Sequence, residues 1–113
     1  MKPLKLLQFD VVTCALSGDY GKPRPCLILQ RSEFNKEHTS LVVCPITSHV
    51  EKAIIFRPTL IPDEENGLEK LSQVMVDKIT TIKKEKVGRV LGRIPPDIQE
   101  KVISALKLWL DII

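Results

Sequence analysis

Short apolar runs, each closed by polar or turn-forming residues, fill the first two thirds of the chain. Apolar and β-branched residues dominate most of these runs, which is typical of strands and not of helices. A polar connection and a turn-rich loop separate some of them, at 31–40 and 61–70. We therefore predict strands at 9–16, 26–30, 41–50 and 53–58, with one or two more inside 71–82.

The pattern changes to a helical period near the end of the chain. Apolar residues recur every three or four positions over 95–112, which predicts an amphipathic helix. Prolines open this segment and Asp97 follows them, and both features are favourable at the positive end of a helix. Several short strands that close on themselves, with one helix packed outside, predict a small mainly β barrel in a single domain over 1–113.

Composition limits the function only loosely. A net charge of +3 permits a nucleic-acid partner without requiring one. The sequence has no apolar run long enough to span a membrane and no signal-peptide pattern, so we expect a cytoplasmic protein with no membrane partner. The three cysteines, Cys14, Cys26 and Cys44, lack a C-x-x-C spacing. We expect three buried, reduced thiols and no zinc site.

The segment Pro23-Arg24-Pro25 holds one charged side chain on a stiff piece of backbone. Each proline fixes its own φ and keeps the preceding residue extended. Pro25 also donates no backbone hydrogen bond, so it belongs at the first residue of a strand or on an edge. Arg24 is therefore a candidate anion-binding group beside the loop that contains Tyr20. The alternative is a surface arginine paired with a carboxylate in a hairpin.

A second polar group ends the third predicted strand. Thr47, Ser48 and His49 follow an apolar run that Pro45 interrupts. In an extended segment Thr47 and His49 share one face and Ser48 points the other way. A hydroxyl, an imidazole and a nearby guanidinium could serve phosphoryl or acyl chemistry. The alternative is a polar strand end whose hydroxyls bond the backbone. The chain has neither a G-x-S-x-G elbow nor a P-loop, which excludes two common hydrolase classes.

These segments together resemble the MazF/PemK family of toxin ribonucleases from bacterial toxin–antitoxin pairs. GKPRPCLIL, LVVCPITSH and VMVDKITTI stand in the family's order and spacing, within about residues 8–110. The resemblance implies a homodimeric, cytoplasmic, SH3-like barrel of the CcdB/MazF toxin type with a C-terminal helix. It implies sequence-specific cleavage of single-stranded RNA, often mRNA, without metal or cofactor, through 2′-hydroxyl attack to a 2′,3′-cyclic phosphate. It also implies inhibition by a cognate antitoxin with an acidic, partly disordered tail.

The resemblance assigns roles to particular residues. Arg24 and Thr47 match the family's catalytic arginine and threonine. His49 stands where many members have glutamine, and Phe9 where they have glycine. The candidates for an auxiliary or substrate-binding role are Ser48, His49, Asp77, Lys78, Lys22 and Tyr20.

Two other functions stay open. CcdB-type toxins share this barrel and poison DNA gyrase without cleaving anything, using C-terminal residues that include a tryptophan. We expect Trp109 of this chain to serve core or dimer packing instead, because it falls on the apolar stripe of the predicted helix. The other alternative is a catalytically inert binding member of the fold.

The charged run at 83–93 predicts a strand or turn with exposed charges, and less readily a nucleic-acid patch.

Overall fold

The computed structural model describes residues 5–16, 22–52 and 54–112, and its seven strands form one sheet with a C-terminal helix. This confirms the predicted mainly β fold. The strands are β1 (Asp10–Ala15), β2 (Pro23–Ile28), β3 (Ser40–Thr47), β4 (Thr59–Leu60), β5 (Ser72–Val74), β6 (Thr80–Lys83) and β7 (Val87–Arg93). The helices are α1 (Ser32–Asn35), α2 (Pro96–Leu110) and the one-turn 3₁₀ helices Val76–Lys78 and Lys84–Lys86.

Strand β3 is the centre of the sheet, because it pairs along both edges. One edge pairs with β2, and the other pairs first with β6 and then with β5, all antiparallel. Pro45 has no N–H to donate, and it falls between the β6 and β5 ladders, where its carbonyl accepts a hydrogen bond from Met75 N–H at 2.9 Å. The strand order is β4-β5-β3-β2-β1-β7 with β6 beside β3, so the described strands form a half-barrel sheet.

Both faces of the sheet are buried, which explains the unbroken apolar runs in the sequence. Val11 and Leu27 belong to a core that also contains Val102 of α2. Val12 and Ile28, their neighbours in the chain, belong to a second cluster. Successive side chains of a strand point to opposite faces, so a strand that is covered on both sides shows no apolar–polar alternation.

One predicted strand is wrong. Residues 54–58, the described part of the segment predicted as a strand at 53–58, form turns, and only Thr59–Leu60 pairs as β4. Arg57 N–H donates to Ile54 O at 3.2 Å, a local bond that closes the chain on itself. The tertiary setting has overridden the β propensity of this apolar run. The polar connection at 31–40 contains the short helix α1.

Helix α2 packs on the sheet through Val102 and Ala105, which are buried. Near its C-terminal end Trp109 is 45% exposed, and its ring lies 4.9 Å from the ring of Phe56. Trp109 therefore stays outside the core, and dimer packing remains a prediction for it. No helix in the described part of the chain is long and apolar enough to cross a membrane.

Phe9 occupies a backbone conformation that favours glycine. Its φ is 71°, which costs a side-chain-bearing residue about 1 kcal/mol or more. Its N–H donates to Ile28 O at 2.7 Å and its carbonyl accepts from Ile94 N–H at 3.2 Å. The phenyl ring is buried in the core with α2. Burial and these two bonds offset the strain of this conformation.

The expectation of three reduced thiols is wrong for two of the cysteines. Cys14 on β1 and Cys26 on β2 form a disulfide, with their Cα atoms 6.4 Å apart. In the antiparallel register Cys26 is opposite Val12, so Cys14 is its diagonal neighbour on the same face. Cys44 is free and buried. Burial, and secondly the charge of Asp77, raises the pKa of the Cys44 thiol to about 12, so it stays protonated at neutral pH.

Removing the disulfide is expected to lower the free energy of unfolding by about 2–4 kcal/mol, because the cross-link restricts the unfolded chain. Urea unfolding with and without reductant measures this difference. The Cys14→Ala/Cys26→Ala protein is the control, since its stability should not respond to reductant. Thiol titration of the unfolded, unreduced protein should count one thiol, that of Cys44. A count of three thiols would contradict the pairing.

Candidate active site

A cavity of about 520 Å³ opens where β2 and β3 separate. Strand β2 pairs with β3 only from Cys26 onward, so Pro23 and Pro25 lie where the edge of β2 facing β3 is unpaired. This agrees with the edge position predicted for Pro25. Beyond this point Ile46 and Thr47 of β3 pair with β5 instead. The prolines thus stand where one ladder ends, and the two strands form two walls of the cavity.

Four of the predicted site residues line this cavity: Arg24, Thr47, Ser48 and His49. Arg24 is partly buried, Thr47 is only 9% exposed, and the other two are exposed. Thr47 Oγ1 accepts a hydrogen bond from His49 N–H at 3.1 Å. The hydroxyl–backbone bond that was weighed as an alternative is therefore present. It uses an acceptor position of Thr47 and leaves the hydroxyl proton available for a ligand.

Three of the other four candidates, Asp77, Lys78 and Lys22, do not line the cavity. Asp77 accepts two hydrogen bonds from Arg57, each 2.8 Å long, because the 3₁₀ helix at Val76–Lys78 brings its carboxylate to that guanidinium. Neither Asp77 nor Lys78 lines the cavity, so their predicted auxiliary role there lacks support. Lys22 is exposed and does not line the cavity either. Tyr20 lies outside the described residues.

The remaining walls of the cavity were not found from the sequence. The rest of the described lining comes from Thr13 of β1, Ser72 of β5, Arg89 and Leu91 of β7, and residues 67–70 of the turn-rich loop. Strand β7 confirms the prediction of a strand with exposed charges in the run at 83–93. Val90 and Leu91 are both apolar, so no polar–apolar alternation in the sequence marked the face of this strand that lines the cavity.

The 61–70 loop is held against β7 by main-chain contacts. Asn66 Oδ1 accepts from Asp63 N–H at 3.1 Å, and Asp63 Oδ1 accepts from Asn66 N–H at 2.7 Å, so the turn closes on itself. Gly92 of β7 faces it without a side chain, since a Cβ there would lie 2.0 Å from Glu65 O. This contact sets the distance of the loop from the strand.

Among the described residues that line the cavity, positive charge is in excess. Three of them are cationic, Arg24, Arg89 and Lys70, and one carries a carboxylate, Glu69. Among the described residues no group of three or more His, Cys, Asp or Glu side chains is placed to hold a metal ion. Guanidinium groups beside hydroxyls suit an anionic ligand with several oxygen atoms, such as a phosphodiester.

Comparisons with known proteins point in the same direction. Residues 7–110 match the model of the family described as PemK-like, MazF-like toxins of type II toxin–antitoxin systems. A Mycolicibacterium smegmatis protein named "Probable endoribonuclease MazF" is 34% identical over 104 residues, 91% of this chain and 94% of that protein. The solved Mycobacterium tuberculosis toxin MazF-mt6 has a TM-score of 0.81 and 27% identity, covering 92% of this chain and 98% of its own. A mycobacterial endoribonuclease solved with its cognate antitoxin shares the fold, with a TM-score of 0.81 and 24% identity, covering 96% and 97%.

The ion pair of Asp77 and Arg57 gives a prediction for the pH dependence of stability. Hydrogen bonds from Arg57 are the main reason that the pKa of the Asp77 carboxyl lies below its ordinary value. Because the carboxyl is more acidic in the folded state, the stabilisation is complete above its ordinary pKa and is lost as pH falls through the folded pKa. Asp77→Asn should lower the free energy of unfolding at pH 7 by about 3 kcal/mol and should flatten its fall in acid.

Urea unfolding at a series of pH values checks both effects. Glu37→Gln, which neutralises an exposed carboxylate, is the control and should change little. Equal losses of stability from the two variants would mean that the Arg57 pair contributes nothing specific.

Proposed function

The chain belongs to the PemK-like, MazF-like family of type II toxin–antitoxin toxins, and we propose that it is an endoribonuclease that cleaves single-stranded RNA at specific sequences in this cavity. The observation that carries the proposal is that Arg24 and Thr47 line one cavity from two separate strands. Messenger RNA as the substrate would place the activity in the cytoplasm.

The proposed reaction is a transesterification within the RNA. The 2′-hydroxyl gives up its proton and attacks the adjacent phosphorus, and the bond to the 5′-oxygen breaks. The leaving oxygen takes up a proton, so the products are a 2′,3′-cyclic phosphate and a 5′-hydroxyl. His49 lies in the cavity and is the candidate for these proton transfers, since an imidazole ring can both accept and donate a proton.

Arg24 would supply the main stabilisation of the transition state. Negative charge builds up on the phosphoryl oxygens during attack, and a guanidinium meets it with paired N–H donors. Arg24 is well placed for this task, because its backbone pairs with Cys14 of β1 and is stiffened by the prolines on either side. Thr47 can add one hydroxyl donor from the opposite wall.

Family membership supplies the proposed regulator. A type II toxin has a cognate antitoxin, and the positive cavity suits an acidic, partly disordered antitoxin tail that would exclude RNA. The proposed homodimer is supported by apolar side chains left exposed at the end of α2 and in the turn before β4. They are Ile55, Leu108, Trp109, Leu110 and Ile112.

The two non-enzymatic alternatives give the cavity residues no chemical role. A gyrase poison would instead use the half-exposed Trp109, and an inert member would bind without cleaving. Both predict that purified protein leaves RNA intact, so a cleavage assay separates them from the proposal.

Replacing Arg24 is expected to lower the rate of cleavage far more than the affinity for RNA. Arg24→Ala should slow single-turnover cleavage by roughly 10²–10³, the usual loss of one preorganised donor, or about 2.7–4 kcal/mol. Arg24→Lys should recover little, because an ammonium lacks the planar fork. The substrate is a transcript long enough to contain the unknown cleavage sequence, at saturating protein. A lysine variant that cuts within a few-fold of wild type would show that Arg24 only tethers RNA.

Cleavage is expected to persist in EDTA, because the proposed charge stabilisation comes from Arg24 and Thr47. The same transcript is incubated with protein in EDTA, with magnesium alone, and with EDTA followed by excess magnesium. Equal product patterns in the three reactions are the expected result. Activity that disappears in EDTA and returns with magnesium would reject the mechanism.

A further inference from the structure

Strand β7 carries a second guanidinium into the cavity. Arg89 and Leu91 are two residues apart, so their side chains share a face, and both line the cavity. The register between β1 and β7 is irregular here. Val12 is opposite Val90 but Cys14 is opposite Val87, so β7 has one extra residue over this stretch. Such bulges redirect side chains and are common beside active sites.

The backbone of Arg89 is fixed by Thr13. Arg89 N–H donates to Thr13 Oγ1 at 3.1 Å. Gly88 allows this approach, since a Cβ there would lie 2.6 Å from the same oxygen. Thr13 in turn is the partner of Pro25, the residue after Arg24. Arg24 and Arg89 therefore rise from strands on either side of β1, about 10 Å apart at the backbone.

The pairing of the other arginines sets Arg89 apart. The chain has five arginines, and Arg31, Arg57 and Arg93 form ion pairs with carboxylates. Among the described residues Arg89 has no carboxylate within ion-pair distance, and it lies in the same cavity as Arg24. A guanidinium on a fixed backbone, facing a cavity and without a carboxylate partner in the described chain, suits an anionic ligand.

We propose that Arg89 binds a backbone phosphate of the RNA next to the phosphate that Arg24 holds. This inference rests on the proposed function. The two guanidinium groups would then set the path of the RNA across strands β2, β1 and β7. Arg89 would raise the affinity for RNA without acting on the reacting phosphate. The chemistry of the contact is electrostatic, so it should be independent of base sequence and sensitive to salt.

The test compares Arg89→Ala and Arg89→Lys with wild type in binding and in cleavage. The binding probe is a fluorescent single-stranded RNA of mixed sequence with 2′-O-methyl groups, which cannot be cleaved. Arg89→Ala should weaken binding about tenfold at moderate salt. The slope of log affinity against log salt should fall by about 0.7, the value for one phosphate contact on a single strand. Arg89→Lys should restore most of the affinity and most of the salt slope. Single-turnover cleavage by both variants at saturating protein should stay within a few-fold of wild type.

Arg31→Ala is the matched control, because it removes an exposed arginine outside the cavity and should leave affinity and salt slope unchanged. The thermal midpoint of each variant shows that folding is intact. If the wild type cuts RNA but Arg89→Ala binds with the same affinity and the same salt slope as wild type, this inference is overturned and the proposed function is not. A loss of rate as large as that of Arg24→Ala would also overturn it, since Arg89 would then act on the transition state. A wild type that neither binds nor cuts RNA would overturn the proposed function and this inference together.

Discussion

Strand β3 has hydrogen-bonded neighbours along both edges, and the candidate site depends on where those ladders stop. The ladder with β2 begins at Cys26, and the ladders with β6 and β5 meet around Pro45. Arg24 and Thr47 stand just beyond these points, on strands that no longer pair with each other. Each is therefore held by a different strand pairing, β1 with β2 and β3 with β5, while the space between them stays open.

The ionic side chains divide into two groups with different tasks. Two ion pairs, Arg57–Asp77 and Arg93–Asp10, join segments that are distant in sequence. In these pairs each charge has its partner within the fold. Among the described residues that line the cavity, Arg89 forms no ion pair with a described carboxylate, so its charge is not neutralised in the same way. Asp77, part of the segment on which the family resemblance rests, belongs to the first group: it bonds Arg57, in the segment before β4, and does not line the cavity.

Features that depend on one stretch of chain could be predicted from the sequence. Strands β1, β2, β3, β5 and β6 followed from apolar runs, α2 followed from its period, and the prolines around Arg24 restricted their own backbone. Features that depend on strand register could not. The Cys14–Cys26 pair is a diagonal between two strands, and the position of Arg89 follows from a bulge opposite β1. The turns at 54–58 likewise depend on a guanidinium bound by Asp77, twenty positions further along the chain.

The close packing of Gly92 against Glu65 O has a consequence for how such a protein can diverge. The spacing between the loop and β7 is set by main-chain atoms and by the absence of a Cβ, whereas Glu69 and Lys70 are exposed side chains on the cavity wall. Mutation can exchange those two side chains without moving the wall that carries them. Selectivity can therefore change between relatives while the wall stays in place, whereas a side chain at Gly92 would force the loop and the strand apart.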